Sequence, residues 1–224
     1  MFIADMAKYR PSSESEIQRI AHSNNELYQS KTLKRLTQYC DKSGISMDQP
    51  WIVNGVQVPS LREIVHETGA MIANDRKEYV TLMHGDFCFS NILYDFKSKS
   101  IKVIDPRGVD NDGNLSIYGD LRYDVGKLAH SILGLYDFII AGMFVYSEQS
   151  PYDVRLEFNV TDSIKATQEE FKNLTFAGHS IANLNVYPIM IHLFLSMLPL
   201  HSDNSERQKA MLANALRLYV ELKS

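Results

Sequence analysis

The sequence predicts an α+β fold, mainly helical, with one small β-hairpin whose polar residues gather at one end. Three observations predict it. Apolar residues recur at helical spacing behind capping residues from Ser12 to Ser43, again after Ser60, and over most of the chain beyond Asp120. Between these stretches lie short β-prone runs, Tyr79–Met83, Ile92–Tyr94 and Ile101–Ile104, separated by polar turns. The composition, 45% hydrophobic and 22% charged over 224 residues, is that of a globular chain long enough to bury a core without staples.

Each element follows from its residues. Ser12-Ser13-Glu14-Ser15-Glu16 offers N-cap hydroxyls with acids just inside, favourable for the helix dipole. Ile17, Ile20 and Ala21, then Leu33, Leu36 and Tyr39, continue the helical spacing, and Gly44 ends it. Ile45–Pro59, with Pro50, Gly55 and Pro59, reads as a loop containing a short strand. Ser60 caps a second helix and Glu63 completes a capping box, with Ile64, Val65, Ile72 and Ala73 as the buried face. Ile92–Tyr94, the turn Asp95–Ser100 and Ile101–Ile104 form the hairpin. Beyond Asp120 helices are expected at about Leu121–Tyr146, Ser163–Ala177, Ile181–Leu198 and Ser205–Leu222, with Val154–Val160 alternating as a strand or extended loop. The division is a helical segment over 1–76 and a lobe over 77–224, packed as one unit.

Composition excludes several classes. Cys40 and Cys88 are too few for a disulfide framework or a four-cysteine zinc site. The net charge of −4 lacks the basic excess of a nucleic-acid binder. Ser131–Tyr146 contains Asp137, and Val186–Leu200 is interrupted by Pro188, His192 and Pro199; both fall short of the ~20 apolar residues of a membrane span. No signal-like run opens the chain, and its thiols need no partner, which fits the cytoplasm.

The chemistry is concentrated in Met83-His84-Gly85-Asp86-Phe87-Cys88-Phe89-Ser90-Asn91-Ile92-Leu93-Tyr94-Asp95, followed by Ile101-Lys102-Val103-Ile104-Asp105-Pro106-Arg107-Gly108. An acid, Asp86, sits in a loop between strands. An amide, Asn91, enters the next strand, and a second acid, Asp105, leaves its returning partner. Both lie at the same end of one hairpin, where an ion could bridge them. Phosphoryl transfer needs such a set: a carboxylate to position a hydroxyl and take its proton, and hard oxygen ligands to hold Mg²⁺ against phosphates.

His84-Gly85-Asp86, Asn91 and Ile104-Asp105 resemble the catalytic and metal-binding loops of the aminoglycoside phosphotransferase and choline kinase family, which shares the protein-kinase fold. Gly119-Asp120-Leu121-Arg122-Tyr123-Asp124-Val125-Gly126 resembles the family's segment after the metal loop. The resemblance implies a mainly helical, protein-kinase-like C-terminal lobe and ATP and Mg²⁺ as cofactors. It implies an acceptor hydroxyl on a sugar, amino sugar or aminoalcohol. By the same resemblance Asp86 is the catalytic base, Asn91 and Asp105 the Mg²⁺ ligands, and His84 and Asp124 supports of the loop.

The chain also departs from that pattern. Only 83 residues precede His84; they hold no Gly-rich phosphate loop and no lysine in a Val-Ala-x-Lys-like strand. The N-terminal nucleotide lobe is thus missing or reduced. It is supplied by a longer chain or another chain, or the protein is a non-catalytic kinase-like module that binds a small molecule or a protein. After Asp105, Pro106 stiffens the loop. Arg107 is expected either to reach a phosphate of the nucleotide or to pair with Asp110 or Asp112. Val109–Glu170 carries eleven acids and four bases, so an acidic cleft suited to a cationic acceptor is one expectation, and a solvated acidic face the other. Tyr136, Tyr146, Tyr152 and Tyr187 are candidates to stack on a sugar or an amine.

Overall fold

The computed structural model describes residues 2–72, 76–110 and 112–224, the side chains of Asn25 and Glu26 excepted. A short helix, α1 (Phe2–Met6), opens the chain. Ser13 then caps α2 (Glu14–Leu27), its hydroxyl accepting from the Glu16 N–H at 3.3 Å. The helical stretch is not continuous. The backbone breaks at Tyr28 (φ −97°, ψ −82°) before α3 (Gln29–Ser43), which ends at Gly44 as predicted. The break turns the Tyr28 hydroxyl onto the buried Asp120, 3.1 Å away, a demand that helical periodicity does not encode.

Ile45–Pro59 is more than a loop with one strand. Two strands, β1 (Pro50–Val53) and β2 (Val56–Ser60), pair antiparallel across Asn54-Gly55, both at positive φ. This is the two-residue turn that Asn-Gly favours. The prolines that argued for a loop occupy tolerant places, the first position of β1 and the edge strand β2. The capping box forms at α4 (Leu61–Ile72): the Ser60 N–H donates to Glu63 Oε2 at 3.0 Å and the Glu63 N–H to Ser60 Oγ at 3.3 Å. Ile64, Val65 and Ile72 are buried as expected; Ala73 lies outside the described residues.

Strand β3 (Val80–Leu82) leads into the motif loop. The hairpin β4 (Ile92–Asp95) and β5 (Ser100–Val103) follows, with Ile92 opposite Val103. Strand β6 (Tyr118–Asp120) returns to pair with β3 and feeds α5 (Leu121–Ile132). The long helix expected up to Tyr146 is three elements, α5, α6 (Tyr136–Ile140) and β7 (Val145–Ser150), broken at Leu135 (φ 53°) and Gly142 (φ 72°). Strand β8 (Asp153–Glu157) alternates in burial as its sequence predicts. Helix α7 (Asp162–Lys172) stops short of Ala177, where the short ladder β9 (Thr175–Phe176) and β10 (His179–Ser180) begins. The chain closes with α8 (Val186–Met197) and α9 (Ser205–Lys223).

Helix α8 is apolar around nearly its whole circumference, which only a surrounded helix satisfies, and α3, α4, α5 and α9 pack against it. A Cβ at Gly126 would lie 2.4 Å from Ile189 Cγ2, so α5 and α8 meet at a distance that glycine alone permits. His192 on α8 bridges two helices, Nδ1 to Thr32 Oγ1 at 3.1 Å and Nε2 to Thr68 Oγ1 at 3.0 Å. The Thr68 hydroxyl donates to the Ile64 carbonyl, so it accepts from Nε2–H. Strand β1 pairs parallel with β8 in the sheet β2-β1-β8-β7, so residues from both sides of position 76 build one sheet. Among the described residues no helix is long and apolar enough to cross a membrane.

Candidate functional site

The loop between β3 and β4 is held from beneath. The His84 N–H donates to Asp124 Oδ2 at 2.7 Å and the Gly85 N–H to Asp124 Oδ1 at 2.8 Å. Asp124 stands in the first turn of α5 and is fully buried. Burial pushes its carboxyl up to about 7, against the two N–H donors and Arg107, which favour its charged form. Gly85 has φ 81°, and a Cβ there would fall 2.6 Å from Arg107 Cβ, so this turn needs glycine twice over. The buried His84 ring ties the loop to the hairpin. Its Nε2 meets the Ile104 carbonyl at 2.9 Å, while Nδ1 accepts the Asp86 N–H at 3.3 Å.

Two side chains bracket the Asp86 carboxylate. Lys127 Nζ lies 2.7 Å from Oδ1, and Asn91 Nδ2 donates to Oδ2 at 3.1 Å and to the Asp86 carbonyl at 2.9 Å. Asn91 closes a 3₁₀ turn over Phe89–Asn91, and its carbonyl accepts the Ile104 N–H at 3.1 Å, extending the hairpin ladder by one step. Asp105 therefore follows directly at the ladder's end. It adopts φ 58°, a left-handed conformation that aspartate tolerates at some cost. Asp86 and Asp105 line one cavity of about 340 Å³. Asn91 does not line it. With both amide hydrogens on Asp86, it retains its carbonyl oxygen as an acceptor.

The rest of the cavity wall is strongly basic. Lys31 and Arg35 reach it from α3, Lys127 from α5 and Arg107 from the loop after β5. Leu193, Ser196 and Met197 of α8 line it too. Arg107 pairs with neither Asp110 nor Asp112. Its guanidinium lies 4.7 Å from the centre of the Tyr123 ring and donates to that hydroxyl at 2.8 Å. Asp110 is instead held by Arg19 at 2.5 Å. The acid-rich composition of 109–170 does not give this cleft an acidic lining, because Asp120 and Asp124 are consumed inside the fold and others face solvent. Tyr146 and Tyr152 line a different cavity of about 600 Å³ with Tyr39 and Trp51, and Tyr136 packs on His130.

Lys31, Arg35, Tyr123 and Lys127 escape a reading by motif. A signal for one of them exists: Lys127 is three residues after Asp124, on the helix face that meets the loop. Among the described residues no three His, Cys, Asp or Glu side chains gather around a point where a metal could sit. At the hairpin end stand two hard oxygen donors, the Asp105 carboxylate, which lines the cavity, and the Asn91 side-chain oxygen, which does not; Mg²⁺ takes few protein oxygens and completes its shell with water and phosphate. No family model, curated protein or solved structure matches this chain, and its functional reading rests on the Asp86 loop and the cavity that loop faces.

Proposed function

We propose that the chain is a phosphotransferase, or the C-terminal lobe of one, that moves a phosphoryl group from ATP to a hydroxyl of a small molecule. The observation that carries this reading is the convergence of Asp86 and Asp105 on one cavity, with the Asn91 amide hydrogen-bonded to the Asp86 carboxylate. Asp86 would accept the proton of the attacking hydroxyl, held in place by Asn91 on one oxygen and Lys127 on the other. Asp105 and the Asn91 carbonyl would hold Mg²⁺, which when bound neutralises the phosphates of the donor. Lys127, paired with Asp86, and Arg107, in the same cavity, would stabilise the negative charge developing on the moving phosphoryl group. Of the sugar, amino sugar and aminoalcohol acceptors that the resemblance implies, the basic lining favours those without a cationic group.

The test is Mg·ATP binding by calorimetry, followed by a transfer screen over polyols, sugars, amino sugars and aminoalcohols. Asp86→Asn should lower transfer by about 10²- to 10⁴-fold with nucleotide affinity nearly intact, because the amide still contacts a hydroxyl but takes no proton. Asp105→Asn should recover part of its lost rate as magnesium is raised. If neither substitution changes transfer, or none occurs with a nucleotide lobe restored, a non-catalytic binding module is the better reading.

A further inference from the structure

The cavity in front of Asp86 holds more positive charge than a general base and a magnesium site require. Four cations, Lys31, Arg35, Arg107 and Lys127, face two carboxylates, Asp86 and Asp105. Lys127 is already paired with Asp86. Both guanidinium groups are oriented, Arg35 by the Ser196 carbonyl at 3.2 Å and Arg107 by the Tyr123 hydroxyl and ring. Lys31 is largely enclosed, and burial together with Arg107, Arg35 and Lys127 pushes its ammonium down to about 8. Gathering cations with too few counter-charges costs folding free energy. An anion that fills the site in use offsets that cost. Arginine forks beside lysine point charges match phosphate oxygens better than a single carboxylate.

We infer that this wall is a phosphate-binding site whose principal ligands are Lys31 and Arg35 of α3, with Arg107 and Lys127 completing it beside Asp86. The bound phosphate belongs either to the nucleotide or to a phosphate ester on the acceptor. For the roles of Asp86 and Asp105 the inference rests on the phosphotransfer reading, but phosphate binding is measurable without transfer.

The experiment is calorimetry on the full chain with inorganic pyrophosphate, Mg·ATP, glucose 6-phosphate and glucose, repeated with Lys31→Gln, Arg35→Gln and Lys42→Gln. Lys42 is exposed near the other end of α3, about 16 Å along the helix from Lys31, and controls for net charge alone. Pyrophosphate should bind the unaltered chain. Lys31→Gln and Arg35→Gln should each weaken it by about tenfold or more, with Lys42→Gln within about twofold. Alongside the pyrophosphate loss, a loss for Mg·ATP but not for glucose 6-phosphate assigns the phosphate to the nucleotide; a loss for glucose 6-phosphate but not for Mg·ATP, with glucose unbound, assigns it to the acceptor. Without ligand, Lys31→Gln should melt no lower than the parent, because it removes repulsion, so a binding loss is not unfolding. The inference is overturned if pyrophosphate fails to bind at millimolar concentration, or if Lys42→Gln weakens binding as much as the other two. No transfer by the unaltered chain with its nucleotide lobe restored, with this binding pattern intact, would overturn the phosphotransfer reading and leave the phosphate site standing.

Discussion

Asp124 and the loop above it show how a few polar atoms fix a site. Two neighbouring backbone N–H groups end on one carboxylate buried away from solvent. Asp124→Ala strands both donors, and an unpartnered buried donor costs ~1–3 kcal/mol, so unfolding in urea should show a loss of about 2–6 kcal/mol. Asp124→Asn keeps one acceptor oxygen and should fall between the two. An unchanged denaturation midpoint for Asp124→Ala would remove Asp124 as the support of the loop. The hairpin between Asn91 and Asp105 and the place of Asp124 beneath the loop were legible in the sequence because loop, hairpin and following helix are local; that Asn91 stays out of the cavity was not. Lys31 and Arg35 were not. Their place beside Asp86 depends on how α3 lies across α8, and no nearby residue signals it.

At the scale of elements, the junction of β6 and α5 is tied to distant parts of the chain by one buried ion pair. Arg122 Nη2 and Asp120 Oδ2 are 2.8 Å apart, and Asp120 also caps α5 through the Arg122 N–H at 2.9 Å. Tyr28, at the break between α2 and α3, donates to the same carboxylate, and Arg122 Nη1 donates to the Ile72 carbonyl at the end of α4. Asp120→Ala leaves the arginine charge buried and should cost about 3–5 kcal/mol. The double substitution with Arg122→Met should recover part of that loss, because no charge is then stranded; a double-mutant cycle in guanidinium measures it. This node explains the misread helix before it, since the Tyr28 break is set by a partner about 90 residues away. The helix expected through Tyr146 failed for a similar reason. Its last residues are apolar enough for a helix, but as β7 they pair with β8.

Across the whole molecule, helices from both halves close on α8, and His192 with its two threonine partners is a polar point in that apolar contact. Burial pushes its imidazole down to about 4, so the folded state holds it neutral. A base with a depressed folded pKa contributes stability that is complete above about 6.5 and lost as pH falls toward 4. Across that window the shift is worth up to ~3 kcal/mol. Thermal melts between pH 7 and pH 4 should show the parent losing more stability than His192→Gln, which cannot titrate. Parallel curves would assign the acid sensitivity to other groups.

The parallel pairing of β1 with β8 has a consequence for the making of the protein. When Val53 leaves the ribosome, its neighbour in the sheet has not been synthesised; Val154 follows only about 100 residues later, roughly 5–20 s at ordinary elongation rates. During that interval the β1–β2 hairpin presents an open edge to whatever strand it meets, in a nascent chain that cannot yet close its own sheet. Slower translation of the intervening codons would lengthen the interval of exposure without changing one residue of the finished fold.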